Sequence, residues 1–262
     1  MKTHRWVPYP RYIFRKEIVL SLIKKHVPKG ARFLDIGCAS GDFAITLSQH
    51  GYEGKMIDFS QEAAEEVRGN LAKRGVTNVE FHIQDFMELS EEHKFGLITM
   101  FEVLEHIEND KEAIAKVARL LSSNGIFLFS VPARRDRWGP HDVVAGHFRR
   151  YDKAELAESV EEAGFRVVCL LSYGFPWINV AKYVRDRLAA RALPRLHTAD
   201  KTALSQASGL NIEALRAPVF ECFFKRCFLF PLIKISCLFH RMDLGDGYVC
   251  LARKAPEHPT GE

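Results

Sequence analysis

The chain has 262 residues, 47% of them hydrophobic and 27% charged, with a formal net charge of +4. That length and apolar content can bury the core of one decorated domain, which sets aside a disordered chain, and so small a positive excess neither demands nor forbids an anionic partner. Six cysteines, at 38, 169, 222, 227, 237 and 250, make no CxxC pair and sit mostly in apolar runs, a pattern that argues against a zinc ribbon or disulfide frame and predicts buried thiols in a reducing compartment.

The first twenty residues, MKTHRWVPYPRYIFRKEIVL, are basic but broken by Pro8, Pro10, Arg11, Arg15 and Lys16 before a secretory apolar segment can form. A cytosolic protein is expected, with residues 1 to 30 as an N-terminal helical lid. From about residue 31, β-rich runs alternate with helical patterns, the mark of a parallel sheet covered on both faces. Strands are predicted at 32 to 36, 54 to 58, 79 to 83, 95 to 101, 126 to 131, 166 to 171 and 247 to 252. Ser60 is placed as an N-cap before Ala63, Val67 and Leu71 at helical spacing. Asp110 opens a helix whose Ile114, Val117 and Leu121 share a face and which ends near Gly125, and Asp152 with Glu155 form a capping pair for a helix that Gly164 terminates.

Residues 31 to 173 and 247 to 262 thus make the core and its tail, while 174 to 246 form an insertion too long for a simple connection and predicted to be helical. Its second half, 219 to 239, is apolar and aromatic but interrupted by Glu221, Lys225, Arg226, Pro231 and Lys234. A membrane span is not expected, whereas contact with a membrane surface is compatible with the pattern.

Chemistry concentrates first in FLDIGCASGDF, residues 33 to 43. A strand ending in Asp35, followed by Gly37, Ala39 and Gly41 before a helix, lays bare backbone against a ligand at the carboxyl edge of the sheet. A dinucleotide loop would carry its third glycine at 42, where Asp42 stands. Two acids suit a pyrophosphate poorly and favour a ligand bearing positive charge, which S-adenosylmethionine does. Asp58, at the tip of the second strand, can accept from a ribose diol. Asp85 can receive the adenine amino group, with Phe86 packed on the ring.

With LeuAspIleGlyCysAlaSerGly at 34 to 41, MetIleAspPheSer at 56 to 60, HisIleGlnAspPhe at 82 to 86 and PheGluValLeuGluHisIle at 101 to 107, the chain resembles a class I S-adenosylmethionine-dependent methyltransferase. The resemblance covers about residues 25 to 172. It implies a Rossmann-like α/β fold: a seven-stranded doubly wound sheet whose last strand is antiparallel, here with the helical insertion between strands six and seven. It also implies cofactor contacts at Asp35, Gly37, Cys38, Ala39, Gly41, Asp58, Phe59, Asp85, Phe86 and Phe101. Ala39 departs from the second glycine of many members, and its small methyl is expected to be tolerated.

Methyl transfer to a hydroxyl needs a base. The loop from 137 to 151 follows the fifth strand and supplies His141 and His147, with Arg149 and Arg150 placed to grip an anionic acceptor. His106 is a third candidate, although its segment is expected to shape the loop more than to move a proton. Glu102, Glu105, His106 and His147 resemble the divalent-metal set of small-RNA terminal 2'-O-methyltransferases and ubiquinone-pathway O-methyltransferases. Mg²⁺ or Mn²⁺ would suit those donors, but the same residues occur in members not expected to bind metal, and no metal ligand is assigned.

The aromatic, basic N-terminus and insertion suggest a small or amphiphilic acceptor, such as a lipid, a quinone-like ring or a lipid-linked sugar, with O-methylation favoured. The rivals are an RNA terminal 2'-O-methyltransferase, prompted by the cation-and-aromatic runs at 134 to 138 and 147 to 151, a noncatalytic binding or assembly protein, and a nicotinamide oxidoreductase, which Asp42 disfavours.

Overall fold

The computed structural model describes residues 9–91, 93–192 and 226–256. A seven-stranded sheet runs in the order β3-β2-β1-β4-β5-β7-β6. Its strands are β1 (Phe33–Ile36), β2 (Gly54–Asp58), β3 (Val79–Ile83), β4 (Phe95–Phe101), β5 (Leu121–Pro132), β6 (Phe165–Tyr173) and β7 (Gly247–Lys254). The pairings from β3 through β5 are parallel, and β7 is antiparallel to both β5 and β6. Every residue of β1 is buried, as a central strand covered on both faces requires.

Helices α1 (Pro10–His26), α2 (Asp42–Gln49), α3 (Gln61–Arg74), α4 (Asp110–Leu120), α5 (Pro140–Val144) and α6 (Lys153–Glu162) surround the sheet. The insertion contributes α7 (Trp177–Ala192) and α8 (Arg226–Cys237). Two apolar layers form the core. One joins Ile13, Phe14 and Val19 of α1 to Leu47, Leu97 and Leu128, with Leu229 and Ile233 of α8. The other packs Ile114 and Val117 of α4 and Leu156 and Val160 of α6 against Ile98, Phe127 and Phe129. Because α1 buries five side chains, Ile13, Phe14, Ile18, Val19 and Ile23, it is an anchored part of the core, each such side chain contributing about 1.5–3 kcal/mol on transfer.

Several expectations are corrected. The helix opened at Asp110 stops at Leu120, and Leu121 already belongs to β5, because its extended backbone pairs with Phe95 of β4. Ser60 caps α3 as predicted, accepting from the Ala63 amide at 3.3 Å. Asp152 is the N-cap of α6 but makes no capping bond. It accepts instead from the Arg135 amide, while Glu155 pairs with the Arg135 guanidinium, so the expected pair serves a loop. Cys38 and Cys250 are buried, but Cys169 is half-buried and Cys237 exposed, because α8 turns that side outward. Cys222, the side chain of Cys227, and residues 219 to 225 of the apolar run lie outside the described residues.

The strand order reverses at β1, between β2 and β4, so a crevice opens above the carboxyl ends of those strands. Across it lies α1: Arg11 reaches Glu102 after β4 and Asp246 before β7, and Lys16 and Tyr12 reach Asp42 of α2.

Candidate active site

On the β1–β2 side, the chain leaves Ile36 in a tight turn. Gly37, Ala39 and Gly41 all adopt positive φ, at 69°, 47° and 70°. A side chain at Gly37 would put its Cβ 2.3 Å from Val103 Cγ2, so closeness as well as handedness demands glycine there. Ala39 is held in the left-handed region because its amide donates to Asp58 Oδ2 at 2.8 Å, while Asp58 Oδ1 takes the Ser60 amide at 3.0 Å. Asp35 receives the Thr99 hydroxyl at 2.6 Å.

Burial pushes the Asp35 carboxyl up to about 7, with the neighbouring Asp58 adding to the shift and Thr99 opposing it. Burial also raises Asp58, against the amides of Ser60, Ala39 and Phe59, and the buried thiol of Cys38, beside both acids, is raised too. Two carboxyls that burial discourages from ionising are what a nearby cation would restore. Asp42, by contrast, is spent: burial would raise it, but Lys16 at 2.5 Å, Arg74 at 2.8 Å and Tyr12 hold it below its ordinary value. The preference for a positive ligand therefore rests on Asp35 and Asp58, and the share expected of Asp42 is withdrawn.

Phe59 is exposed and Phe101 half-buried, its ring 4.8 Å from that of Phe43 and under the Arg15 guanidinium. Asp85 is exposed and caps the turn Phe86–Glu88 through the Met87 amide. The ring of Phe86, expected to pack on the adenine, is only 6% exposed and belongs to the core beneath Lys116.

On the β4–β5 side, Glu102 carries a positive φ of 57°. That strained backbone is held by Arg11 at 2.7 Å, Arg15 at 3.4 Å, Ser130 at 2.8 Å and Tyr173 at 3.2 Å. Although burial opposes it, the two guanidinium groups keep Glu102 ionised, well below the usual range. One turn later Glu105 is fully buried with no hydrogen-bond partner on either carboxylate oxygen among the described residues, and burial beside Glu102 drives it far above the usual range.

All three candidate histidines converge here. The rings of His106 and His147 lie 4.8 Å apart and those of His141 and His147 6.3 Å apart. His147 Nδ1 sits 2.9 Å from the fully buried Asp142, whose same oxygen takes Arg150 Nε at 2.8 Å. Burial lowers His106 to about 3, with His147 adding to the shift, and lowers His141 to about 2, with Arg185 beside it. Glu105, His106 and His147 each turn one ligand atom toward the others, all within 4.8 Å. Glu102 is not part of that set, because Arg11 claims it.

Arg149 and Arg150 do not face an acceptor. Arg149 pairs with Asp110 at 2.5 Å, and Arg150 is buried between Asp142 and Asp246. Arg134 and Arg135 are likewise paired, with Asp136 and Glu155. The cation-and-aromatic runs therefore spend four arginines on the protein's own acids. Arg11, Ser130, Asp142, Tyr173 and Asp246 complete the site and were not expected from sequence. Asp142 lay in the loop already singled out for its histidines, Arg11 in the predicted lid and Asp246 at the end of the insertion, but nothing in the sequence assigned them to this site.

The reversed strand order, the glycine turn and the acids at the tips of β1 and β2 define a class I S-adenosylmethionine-dependent methyltransferase fold. The model of a methyltransferase domain matches residues 10–170, and the chain belongs to that family. It is 27% identical over 156 residues to a ubiquinone biosynthesis O-methyltransferase of Neisseria meningitidis serogroup C, covering 53% of this chain and 65% of that protein. It is 28% identical over 180 residues to the protein of the same description in Xanthomonas axonopodis pv. citri, covering 63% and 73%. The chain covers less than two thirds of the length of the first of these relatives, 65%, and about half, 51%, of others of the same description. In fold it is similar to a putative sarcosine dimethylglycine methyltransferase from Galdieria sulphuraria, with a TM-score of 0.62 at 16% identity, covering 92% of this chain and 85% of that one. It is equally similar to the [4+2]-cyclase SpnF, with a TM-score of 0.61 at 19% identity over 92% and 81%. Fold likeness of that kind does not choose a reaction.

Proposed function

We propose that this chain transfers the methyl group of S-adenosylmethionine to a hydroxyl of a small or amphiphilic acceptor, with His147 as the base. The observation that carries the reading is the buried Asp142–His147 pair, 2.9 Å apart, set against the Glu105 carboxylate oxygens and His106 Nδ1, which have no partner among the described residues. A carboxylate on Nδ1 fixes the tautomer and leaves Nε2 free to accept a proton. The two relatives named for ubiquinone O-methylation support an oxygen nucleophile on an apolar-tailed ring.

In this reading Asp58 accepts from the ribose and Asp35 faces positive charge, in keeping with the raised pKa of both. Phe59 and Phe101 offer aromatic surface. S-adenosylmethionine supplies an electrophilic methyl on a sulfonium. The acceptor oxygen bonds to that methyl carbon, the sulfur–carbon bond breaks with its electron pair staying on sulfur, and the hydroxyl proton passes to His147 Nε2. Helices α1 and α7 serve as walls of the acceptor site. Holding the two reactants in line provides much of the rate.

A second reading is favoured by the convergence of Glu105, His106 and His147. These donors suit Mg²⁺ or Mn²⁺, which would acidify the acceptor hydroxyl. Here Asp142 orients His147 as a ligand in place of a base.

Calorimetric titration with S-adenosylmethionine, using Asp58→Ala and Gly37→Arg as controls, tests the cofactor half. One-site binding lost in both variants is expected, and no binding by folded protein would leave a noncatalytic scaffold. For the transfer half, a labelled-methyl assay on catechol-like amphiphiles should show His147→Gln lowering kcat by about 100-fold or more. Activity abolished by chelator and restored by Mg²⁺ would select the metal reading over the base.

A further inference from the structure

Among the described residues thirteen large apolar side chains stand exposed, and eight of them lie on the insertion: Trp177, Val180, Tyr183, Val184, Phe230, Ile235, Leu238 and Met242. On α7, Trp177, Val180 and Val184 recur at helical spacing with Tyr183 beside them. The opposite face, with Ile178, Lys182 and Ala189, is buried. On α8, Leu229, Ile233 and Ser236 face inward while Phe230 and Ile235 face out, so the helix carries large apolar side chains on both faces. Leu238, immediately after it, is 78% exposed. Just before α7 and just after α8, the rings of Phe175 and Phe239 touch, with centroids 5.0 Å apart.

The charges sharing these outer faces are mostly positive. Arg187, Arg191, Lys234 and Arg241 are exposed, α8 has no acid, and the nearby exposed acid, Asp243, accepts from the Tyr248 hydroxyl. Asp186, the only acid of α7, is held by Lys182 on the inner side. Arg187 lies over the Tyr183 ring at 4.4 Å and Lys234 over Phe230 at 5.3 Å, aromatic bodies with cations above them. Apolar side chains that enter an acyl layer while neighbouring cations stay at headgroup level have this arrangement. No helix among the described residues is long and apolar enough to cross a membrane, so the contact would be peripheral.

We infer that α7 and α8 form a docking surface for an anionic lipid bilayer, seating the acceptor side of the site at the membrane. The inference deepens the amphiphilic-acceptor reading but is measured without cofactor or acceptor, so either can fail without the other.

The test is sedimentation of the full chain with phosphatidylglycerol–phosphatidylcholine vesicles, against pure phosphatidylcholine, at about 0.15 M salt. Wild type is expected to sediment with the anionic vesicles only. Val184→Asp and Leu238→Asp, each shown to melt like wild type, should cut the bound fraction by about tenfold, and Lys234→Glu by less. Val168→Asp, an exposed position on β6, should bind as wild type does. No sedimentation of wild type, or equal loss from Val168→Asp, overturns the inference. So does light scattering that shows a dimer dispersed by the same patch variants without vesicle binding, which would assign the face to a second copy of the chain.

Discussion

Asp35 and Glu105 are both buried carboxyls at the carboxyl edge of one sheet, yet their surroundings differ. Around β1 and β2 each acid is met: Thr99 serves Asp35, and the amides of Ala39 and Ser60 serve Asp58. Beyond β4, both oxygens of Glu105, Nδ1 of His106 and of His141, and Nε of Arg185 are buried with no partner among the described residues. Each such group costs about 1–3 kcal/mol, a cost that packing alone gives no reason to keep. The satisfied side has the rigidity of a binding cradle for a fixed ligand, and the unsatisfied side keeps its lone pairs for something that arrives.

The widest break in that comparison is between two glutamates three residues apart. Glu102→Gln should destabilise the fold by about 2–3 kcal/mol in urea melts, because Arg11 and Arg15 lose their shared anion. Glu105→Gln should do the reverse in metal-free protein. A raised carboxyl leaves stability untouched below its unfolded value of about 4.3 and erodes it as pH climbs toward the folded value. Removing the carboxyl should therefore raise the urea midpoint at about pH 8, where that penalty has built up. A Glu105→Gln protein less stable than wild type at that pH would mean that the carboxylate has a partner after all.

A smaller effect follows from the histidines. His106 and His141 are lowered to about 3 and about 2, so both stay neutral in the folded protein below the pH at which unfolded histidine takes a proton. Stability should fall as pH drops from about 6.5 toward 3, the unfolded chain binding protons that the folded one refuses. His106→Gln should flatten the slope of urea midpoint against pH over that window, and an unchanged slope would show His106 to be open to solvent. The smallest effect sharpens the satisfied side: Ala39→Gly should stabilise by about 1 kcal/mol, since alanine bears a cost in the left-handed region that glycine does not.

The cradle was the more legible side because its parts are contiguous. Gly37, Ala39 and Gly41 fall within five residues, and their turn is dictated by local sterics that a sequence carries directly. Asp58 was predictable because it ends a short strand directly before the Ser60 cap of the next helix. The acceptor side draws on Arg11, Glu102, Asp142, Tyr173 and Asp246, far apart in the chain and joined only when α1 folds across the sheet and β7 inserts beside β5. Arg149 and Arg150 looked free because their partners, Asp110, Asp142 and Asp246, are separated from them by up to 96 residues. The capping pair at Asp152 and Glu155 failed for the same reason, Arg135 arriving from another loop.

By itself, then, the sequence determined the strand and helix periodicities, the glycine turn and the acids at the carboxyl ends of β1 to β4, since these depend on neighbours within a few residues. Tertiary structure decided which charges cancel. It gave Asp42 to Lys16 and Arg74 and Glu102 to Arg11, and it left Glu105 buried beside two histidines, because an ion pair is a matter of distance in space and burial, neither of which spacing along the chain specifies.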